Sequence, residues 1–250
     1  MASTKRALVI VPTYNERESV AEAARKLFAA TDDDVELLVV DDGSPDGTAE
    51  IVRQIAAGPR AVHLLERPGK QGLGSAYRLG FSWALERDYW AAVEMDADLS
   101  HDPDDVPRLL AALEDADVVI GSRYVPGGGT RNWGLLRRWL SRFGNVYARL
   151  WLGFKVADST AGFRAYRTAW LRELDVASVT SEGYAFQVEM TWRAHRVGKR
   201  IVEVPITFTE RATGRSKMSR RIVAEALIRI ARWSLSARLG RSGGSRINRR

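Results

Sequence analysis

The segment Tyr89–Pro103, YWAAVEMDADLSHDP, decides the fold and indicates where the chemistry lies. An apolar approach rich in strand-forming residues ends in Glu94, Asp96 and Asp98, and more acids follow. Like charges repel, and a buried carboxylate is costly unless it is paired or bound to a metal. The segment therefore predicts a strand whose carboxyl end presents acids that need a cation.

Further short apolar runs alternate with stretches in which apolar residues recur at the helical period. This alternation predicts an α/β fold with a mostly parallel central sheet and flanking helices. The predicted strands of this sheet are Ala7–Tyr14, Val35–Asp42, Ala61–Glu66, Tyr89–Asp98 and Asp117–Arg123.

Four polar clusters follow these strands, and in parallel sheets ligands bind beyond the carboxyl ends of the strands. We expect the clusters to share one edge, which is then the functional edge of the sheet. The clusters are PTYNE, DDGSPDGT, DADLSHDP and GSRYVPGG.

The second half of the chain carries most of the arginines. Two basic amphipathic helices are predicted at about 132–152 and 219–239, followed by a disordered basic tail at 241–250. Core packing explains their aliphatic residues, whereas Trp and Arg around a Leu/Phe face suit a membrane interface, so both interpretations stay open. We expect one catalytic domain over residues 1–240.

Composition narrows the function classes. The chain has 250 residues, 45% of them apolar, and no cysteine, which excludes disulfides and thiolate metal sites. No apolar run reaches the roughly 18 residues needed to span a bilayer. The net charge of +7 favours an anionic partner: nucleic acid, lipid surface or phosphorylated substrate. Because carboxylates on the predicted edge would repel a nucleic-acid backbone, we expect no nucleic-acid partner.

Asp96 and Asp98 are the candidate metal ligands. Mg²⁺ is commonly held by one or two carboxylates together with waters and substrate phosphates. A D-x-D pair is frequent in solvated loops, so the functional interpretation depends on the other clusters that share its edge.

The cluster VDDGSPDGT has two interpretations. Asp46 or Thr48 is suited to cap the next helix. Asp42 could accept hydrogen bonds from a nucleobase or ribose. The phosphate-binding motifs G-x-x-x-x-G-K-[ST] and G-x-G-x-x-G are missing, although the glycine-rich GKQGLGSA run could approach a ligand closely.

The segments VIVPTYNERESV, VVDDGSPDGT, EMDADLSHDP and GSRYVPGG closely resemble the polyprenol-phosphate (dolichol-phosphate) mannose synthases. These are inverting family 2 glycosyltransferases with the Rossmann-like GT-A fold. The resemblance continues in DSTAGFRAYR, SEGYAFQVEM and ERATGRSKMS and so covers roughly residues 7–220.

The resemblance implies transfer of mannose from GDP-mannose to a polyprenyl (dolichyl-type) monophosphate with inversion, assisted by Mg²⁺ or Mn²⁺. It also implies a peripheral enzyme at the cytoplasmic face of the membrane, with room for an integral-membrane partner protein. Two alternatives stay open: another sugar donor, such as a glucosyl nucleotide, and a non-catalytic basic module that binds membranes or nucleic acid.

The resemblance assigns roles residue by residue. Asp96, Asp98 and Arg123 are expected to be catalytic, with Asp96 and Asp98 on the metal. Ser100 stands where some members have Gln, and its shorter side chain would need a water to reach the ion. The acceptor phosphate is assigned to Arg123, Arg137 and Ser141. The donor is assigned to Pro12, Tyr14, Glu16, Val40, Asp42, Asp96, Ala97, Asp98, Arg123, Arg211 and Lys217.

No residue stands out as a catalytic base. His63 is expected in a strand and His195 in a helix, both structural, while His101 adjoins the acids. A phosphate monoester is already ionised near pH 7 and needs no proton removed, unlike a sugar hydroxyl. We expect Asp158 and Arg164 to shape the floor of the site.

Two further expectations concern the remaining acids of the opening segment. Glu94 should pair with a cation at the edge of the core. Asp102, Asp104 and Asp105 should begin the next helix, where acids suit the helix dipole.

Overall fold

The structure is a computed structural model that describes residues 5–210 and 227–235. Of the predicted helix at about 219–239, the structure describes residues 227–235, which are helical. Arg211, Lys217 and the tail at 241–250 lie outside the described residues.

The chain alternates strands and helices through its first half and is more irregular in its second. The strands are β1 Ala7–Thr13, β2 Val35–Asp41, β3 Val62–Glu66, β4 Ala91–Glu94, β5 Val118–Ser122, β6 Gly129–Arg131, β7 Arg164–Arg167, β8 Ile201–Pro205 and β9 Thr207–Thr209. The helices are α1 Val20–Ala30, α2 Thr48–Ala56, α3 Leu73–Glu86, α4 Val106–Leu113, α5 Leu135–Leu152, α6 Thr168–Glu173 and α7 Gly183–Arg196.

Seven strands form the central sheet in the order β3-β2-β1-β4-β7-β5-β8. β7 runs antiparallel to both its neighbours, while the remaining pairs of the sheet are parallel. The mostly parallel α/β sheet predicted from the sequence is thus confirmed. Strands β6 and β9 form a separate small parallel pair.

β4 spans only Ala91–Glu94 and is shorter than the predicted strand Tyr89–Asp98. Residues 95–98 already turn away from the sheet. The turn places Asp96 and Asp98 just beyond the sheet edge, where their side chains are partly accessible to solvent.

Both faces of the sheet are covered. Val9 and Val39 face α1 and α4 through a cluster that includes Leu27 and Leu109, and the opposite face packs against α3. On that second face Gly80 of α3 lies directly against Ile10, since a Cβ at Gly80 would come within 2.6 Å of the Ile10 Cγ2. The two cores fix the strand ends in register.

Among residues 5–210 and 227–235, no helix combines the length and apolar content needed to cross a bilayer.

Candidate active site

The carboxyl ends of β1 and β2 are tied together by Asp41. Its carboxylate accepts hydrogen bonds from Thr13 Oγ1 at 2.8 Å and from the Ser44 backbone N and Oγ at 2.8 and 2.6 Å. Asp41 is buried, so these contacts use it to hold the two loops beside each other. It is a structural residue of the edge.

Asp42 lies deeper than a solvent-facing turn residue would. It is buried and forms an ion pair with Arg67, which is also buried, and it accepts a hydrogen bond from Gln71 N at 3.2 Å. The glycine-rich GKQGLGSA run is therefore folded against Asp42. Gly43, with a φ of +68°, allows this close approach because its missing Cβ would sit 3.0 Å from the Arg67 carbonyl oxygen.

The other residues of β1, β2 and their loops that the resemblance assigns to the donor line the same edge. Pro12 and Val40 are direct partners in the β1–β2 register. Lys70 Nζ lies 4.7 Å from the centre of the Tyr14 ring. Glu16 donates through its backbone N to Thr48 Oγ1 at 3.1 Å and accepts from Ser19 Oγ at 2.9 Å.

The N-cap residue of α2 is Gly47 and not Asp46 or Thr48 as predicted, but Asp46 supports the start of the helix from one position before the cap. Its Oδ1 accepts from the backbone N and the hydroxyl of Thr48, at 3.0 and 2.6 Å, at the start of α2. Burial raises the pKa of Asp46, but hydrogen bonds from Thr48 and from the Arg17 backbone outweigh it and lower the pKa overall.

The loop after β4 presents the acids. Ser100 N donates to Asp98 Oδ1 at 3.0 Å, and Asp96 N donates to His101 Nδ1 at 3.2 Å. Thr209 N donates to the Ser100 carbonyl oxygen at 3.1 Å and so anchors the loop to β9. Leu99, with a φ of +61°, marks the sharp reversal between the acids and His101.

The carboxylate oxygens of this loop suit a hard divalent cation but are too few to complete its coordination. Within the described segments, no cluster of three or more His, Cys, Asp and Glu side chains of the kind that holds a metal is present. Two carboxylates are few for a complete cage, but they suit Mg²⁺ or Mn²⁺, which take remaining ligands from substrate phosphates and water. The Ser100 hydroxyl is buried and has no hydrogen-bond partner among the described residues, so it is a further oxygen at the loop.

His101 is not a base of the usual kind. It is buried, and burial is the main cause that lowers its pKa to about 4, with Arg123 lowering it further. Its Nδ1 lies 3.8 Å from Asp96 Oδ2, but this contact is not an ion pair because the imidazole is neutral and accepts from the Asp96 amide.

Glu94, at the end of β4, is fully buried beneath the loop. Burial raises its pKa to about 8, although Arg164 and the hydrogen bond from Gln187 Nε2 at 2.6 Å oppose the rise. Arg164, its register partner on β7, is the nearby cation that acts on Glu94 through space, but it is fully buried and donates to other acceptors, so the expected pairing at the edge of the core is not seen between these two residues.

Arg164 is itself fully buried and donates to four neutral acceptors. Two of these are the Ser159 and Ala161 carbonyl oxygens, both at 2.7 Å, and the others are the Gln187 carbonyl oxygen and Thr191 Oγ1. Arg164 therefore holds the 158–161 turn in place.

That turn carries Asp158, which pairs with Arg123. Asp158 is fully buried and accepts from Arg123 Nε and Nη2, both at 2.7 Å, and from the Arg123 backbone N at 3.0 Å. Arg123 outweighs burial and lowers the pKa of Asp158. Because Asp158 takes the Nε–Nη2 edge, a phosphate would meet Arg123 on its Nη1 side.

Arg137 and Ser141 both belong to α5. Arg137 pairs with Glu210 and stacks over Trp133 at 4.3 Å, while the Arg123 guanidinium lies 5.2 Å from the same ring. The Tyr124 hydroxyl donates to Ser141 Oγ at 2.7 Å. Arg123, Arg137 and Ser141 are thus drawn towards one region through Trp133 and Tyr124.

Trp133 falls inside the predicted helix at about 132–152, but α5 begins only at Leu135, and Trp133 is buried with the guanidinium groups of both arginines close to its ring. A lone Trp in a glycine-rich segment carries no periodic signal. Arg123, which follows β5, and Arg137 on α5 become its neighbours only through the fold.

The other two histidines lie where they were expected, His63 in a strand and His195 in a helix. His63 Nε2 lies 2.7 Å from Glu36 Oε2 on β2, and His195 of α7 contacts the edge of Phe154. The acids after the loop also behave as expected: Asp102 accepts from Asp104 N in a short 3₁₀ turn, Pro103–Asp105, that leads into α4.

One side of α5 is exposed and apolar. Trp139, Phe143, Tyr147 and Trp151 form a ladder of ring contacts, with centroids 5.5, 6.3 and 5.7 Å apart. The exposed large hydrophobic residues of this helix are Leu135, Leu136, Trp139, Phe143, Val146, Leu150 and Trp151. Core packing therefore does not account for this face of α5, which we call the α5 stripe.

Comparison with known proteins agrees with this architecture. The family model described as glycosyl transferase family 2 matches residues 8–175. An undecaprenyl-phosphate mannosyltransferase from Micrococcus luteus is 53% identical, with 93% of this chain and 96% of that protein covered. A polyprenol monophosphomannose synthase from Mycolicibacterium smegmatis is 50% identical, with 96% and 91% covered.

Solved structures share the fold at lower identity. Glucosyl-3-phosphoglycerate synthase from Mycobacterium tuberculosis, in complex with UDP, superposes with a TM-score of 0.66 at 21% identity, over 91% of this chain and 80% of that one. The same enzyme with Mn²⁺, UDP-glucose and phosphoglyceric acid gives 0.66 at 23% identity, over 90% and 80%. The fold is thus that of GT-A glycosyltransferases. From the family match and these relatives, the chain belongs to glycosyl transferase family 2 and is a glycosyltransferase.

Proposed function

We propose that this protein transfers mannose from GDP-mannose to a polyprenyl monophosphate, with inversion at the anomeric carbon. The observation that carries the proposal is the pair Asp96 and Asp98 at the sheet edge, in a chain 53% identical to an undecaprenyl-phosphate mannosyltransferase. The second relative, a polyprenol monophosphomannose synthase, supports the same sugar and the same class of acceptor.

At the donor end, the edge of β1 and β2 receives the nucleoside, and Asp42 would accept hydrogen bonds from the base or ribose. Asp96 and Asp98 would hold Mg²⁺ or Mn²⁺ against the diphosphate, and Ser100 would reach the ion through water. When bound, such an ion stabilises the negative charge that develops on the leaving diphosphate. Arg211 and Lys217 are proposed as further donor-phosphate contacts.

At the acceptor end, Arg123, Arg137 and Ser141 would hold the lipid phosphate. A phosphate oxygen forms the new bond to the sugar C1 from the face opposite the nucleotide, and the C1–O bond to the diphosphate breaks. The electron pair of that bond leaves with GDP. The acceptor has a second pKa near 6 and is ionised at neutral pH, so no residue needs to remove a proton.

The α5 stripe is proposed to lie in the headgroup region of the membrane, on its cytoplasmic face. Its exposed Trp and Leu residues can enter the interface, while Arg138, Arg142 and Arg149 are suited to anionic headgroups. This orientation would bring the acceptor phosphate to Arg137 at the start of the same helix. An integral-membrane partner could share the surface.

The test is a panel of nucleotide-sugars, namely GDP-mannose, GDP-glucose, UDP-glucose and UDP-galactose. Each is radiolabelled and incubated with the purified protein, Mn²⁺ and a short polyprenyl phosphate. Label entering the organic phase from GDP-mannose alone supports the proposal. Preference for another donor would select the alternative sugar, and vesicle binding without transfer from any donor would favour a non-catalytic binding module.

The matched pair Asp98→Ala and Asp104→Ala tests the metal assignment. Both replace a carboxylate of one segment, but Asp104 is exposed in the turn before α4. We expect Asp98→Ala to lower kcat/KM by about 10²-fold or more and Asp104→Ala to change it less than about threefold. Wild-type turnover in Asp98→Ala with metal present would show that Asp98 is not a ligand.

A further inference from the structure

The loop between Asp96 and His101 closes on itself through an unusual contact. The Asp96 backbone N donates to His101 Nδ1 at 3.2 Å, so the imidazole accepts from the main chain of a proposed metal ligand. We propose that His101 is a positioning residue, a neutral imidazole that fixes the Asp96 backbone and thereby aims the Asp96 carboxylate at the cation. This inference rests on the proposed function.

The direction of the hydrogen bond defines the state of the ring. An amide N–H can donate only to an unprotonated nitrogen, so Nδ1 carries the lone pair and the proton of the neutral ring sits on Nε2. A protonated ring would present a second N–H to the amide and lose the contact. The function of His101 in the loop is that of a hydrogen-bond acceptor.

The ring is clamped in the orientation that this contact needs. It stacks on Phe163 with centroids 5.0 Å apart at 16°, and the Phe208 ring meets it edge-on at 5.4 Å and 78°. His101 is only 2% exposed.

The same clamp reaches the acceptor side. Phe208 also packs edge-on against Trp133 at 5.4 Å, and the Arg123 guanidinium lies 5.7 Å from the Phe208 ring. The next residue, Thr209, donates its backbone N to the Ser100 carbonyl oxygen. β9 therefore holds the acid-bearing loop and the paired arginine in one packed unit.

Two substitutions separate the packing of the ring from its acceptor atom. His101→Phe keeps an aromatic ring between Phe163 and Phe208 but removes the acceptor. His101→Asn places an amide oxygen near the position of Nδ1 and removes most of the ring. If His101 serves packing alone, the protein should tolerate His101→Phe. If His101 positions Asp96, the protein should tolerate His101→Asn instead.

The first readout is exchange of the Asp96 amide hydrogen in the metal-free protein, followed by NMR. We expect exchange to speed up at least about tenfold in His101→Phe and to stay near wild type in His101→Asn. The second readout is the affinity for Mn²⁺ in the presence of GDP, followed by electron paramagnetic resonance. We expect it to fall by about 10–100-fold in His101→Phe, with recovery in His101→Asn. Melting temperatures of both variants monitor folding.

The outcomes separate the positioning role of His101 from the metal assignment on which it rests. Unchanged exchange of the Asp96 amide in His101→Phe overturns the inference whatever the metal does. Faster exchange with unchanged Mn²⁺ affinity also overturns it, because the held backbone would then not position the ligand. Wild-type protein that binds no Mn²⁺ with GDP would instead overturn the metal assignment within the proposed function, and the role of His101 with it.

Discussion

The buried pair of Asp158 and Arg123 gives the sharpest prediction about stability. Asp158→Asn keeps the size and shape of the side chain but removes its charge. Asp158 is fully buried and Arg123 is 6% exposed, so the guanidinium would lose its countercharge without gaining access to water. An amide nitrogen would also face one of the N–H groups that donate at 2.7 Å.

The expected cost follows from this burial. Breaking a buried ion pair by removing one partner typically destabilises a protein by about 3–5 kcal/mol. For a chain of 250 residues, each kcal/mol corresponds to about 2–4 °C, so the melting temperature should fall by about 6–20 °C. Because the pKa of Asp158 is lowered in the fold, its contribution is present above the unfolded pKa near 4 and is lost as the pH falls through the folded pKa. The gap between wild type and variant should therefore narrow in acid.

Thermal unfolding followed by circular dichroism at pH 7 and at a series of pH values below about 4 measures this gap. The control is Asp88→Asn, which removes a carboxylate that pairs with Arg172 at 2.6 Å but is 88% exposed. An exposed pair contributes little, and the control should shift the melting temperature by less than about 2 °C.

A double variant separates stability from function. Arg123→Met with Asp158→Leu removes both charges together, and such replacements are often neutral for stability. We expect it to melt well above Asp158→Asn yet to lose transferase activity. A melting temperature of Asp158→Asn equal to that of the Asp88→Asn control would refute the role of the buried pair in stability. A double variant as active as wild type would refute its role in function.

Three further predictions concern other parts of the fold. Glu36→Gln should lower the free energy of unfolding by about 1–3 kcal/mol at pH 7, because hydrogen bonds outweigh burial and lower the pKa of Glu36. In urea titrations the difference in stability between wild type and variant should fade as the pH falls through that lowered pKa, and a pH-independent difference would contradict this. Trp139→Ala should weaken binding to anionic vesicles about tenfold in flotation assays with melting unchanged, while Leu79→Ala on α3 should not; equal effects would argue against the α5 stripe as the membrane face. Gly80→Ala should lower the free energy of unfolding by about 1–3 kcal/mol, measured by urea unfolding, and the added cost of Gly80→Ala should be smaller in an Ile10→Ala background. If the costs of the two substitutions simply add, the close contact between Gly80 and Ile10 is not the cause.

Much of the fold was predictable because strands and loops carry local signals. The apolar runs that became β1 and β2 were predicted to within one residue, and their polar ends meet at one edge as parallel pairing requires. β7 is not among the predicted strands. It is a short strand of four residues, RAYR, whose place between β4 and β5 depends on long-range pairing that no local pattern encodes.

The site was predictable in its residue types more than in its contacts. The loop acids follow directly from β4, so their position could be read from the chain. The partner of Arg123 could not, because Asp158 lies 35 residues away along the chain and the two are neighbours only in the folded structure. His101 carried a residue-type signal beside the acids, but its contact with the Asp96 amide depends on the reversal at Leu99.

The most direct test of the central claim is the structure of the product. Purified protein is incubated with ¹³C-labelled GDP-mannose, Mn²⁺ and a short polyprenyl phosphate, and the lipid fraction is examined by ¹H, ¹³C and ³¹P NMR. We predict a mannosyl phosphodiester with coupling between phosphorus and the sugar C1, and with the β configuration that inversion of the α-linked donor requires. An α-linked product, free mannose or a lipid fraction without label would contradict the account.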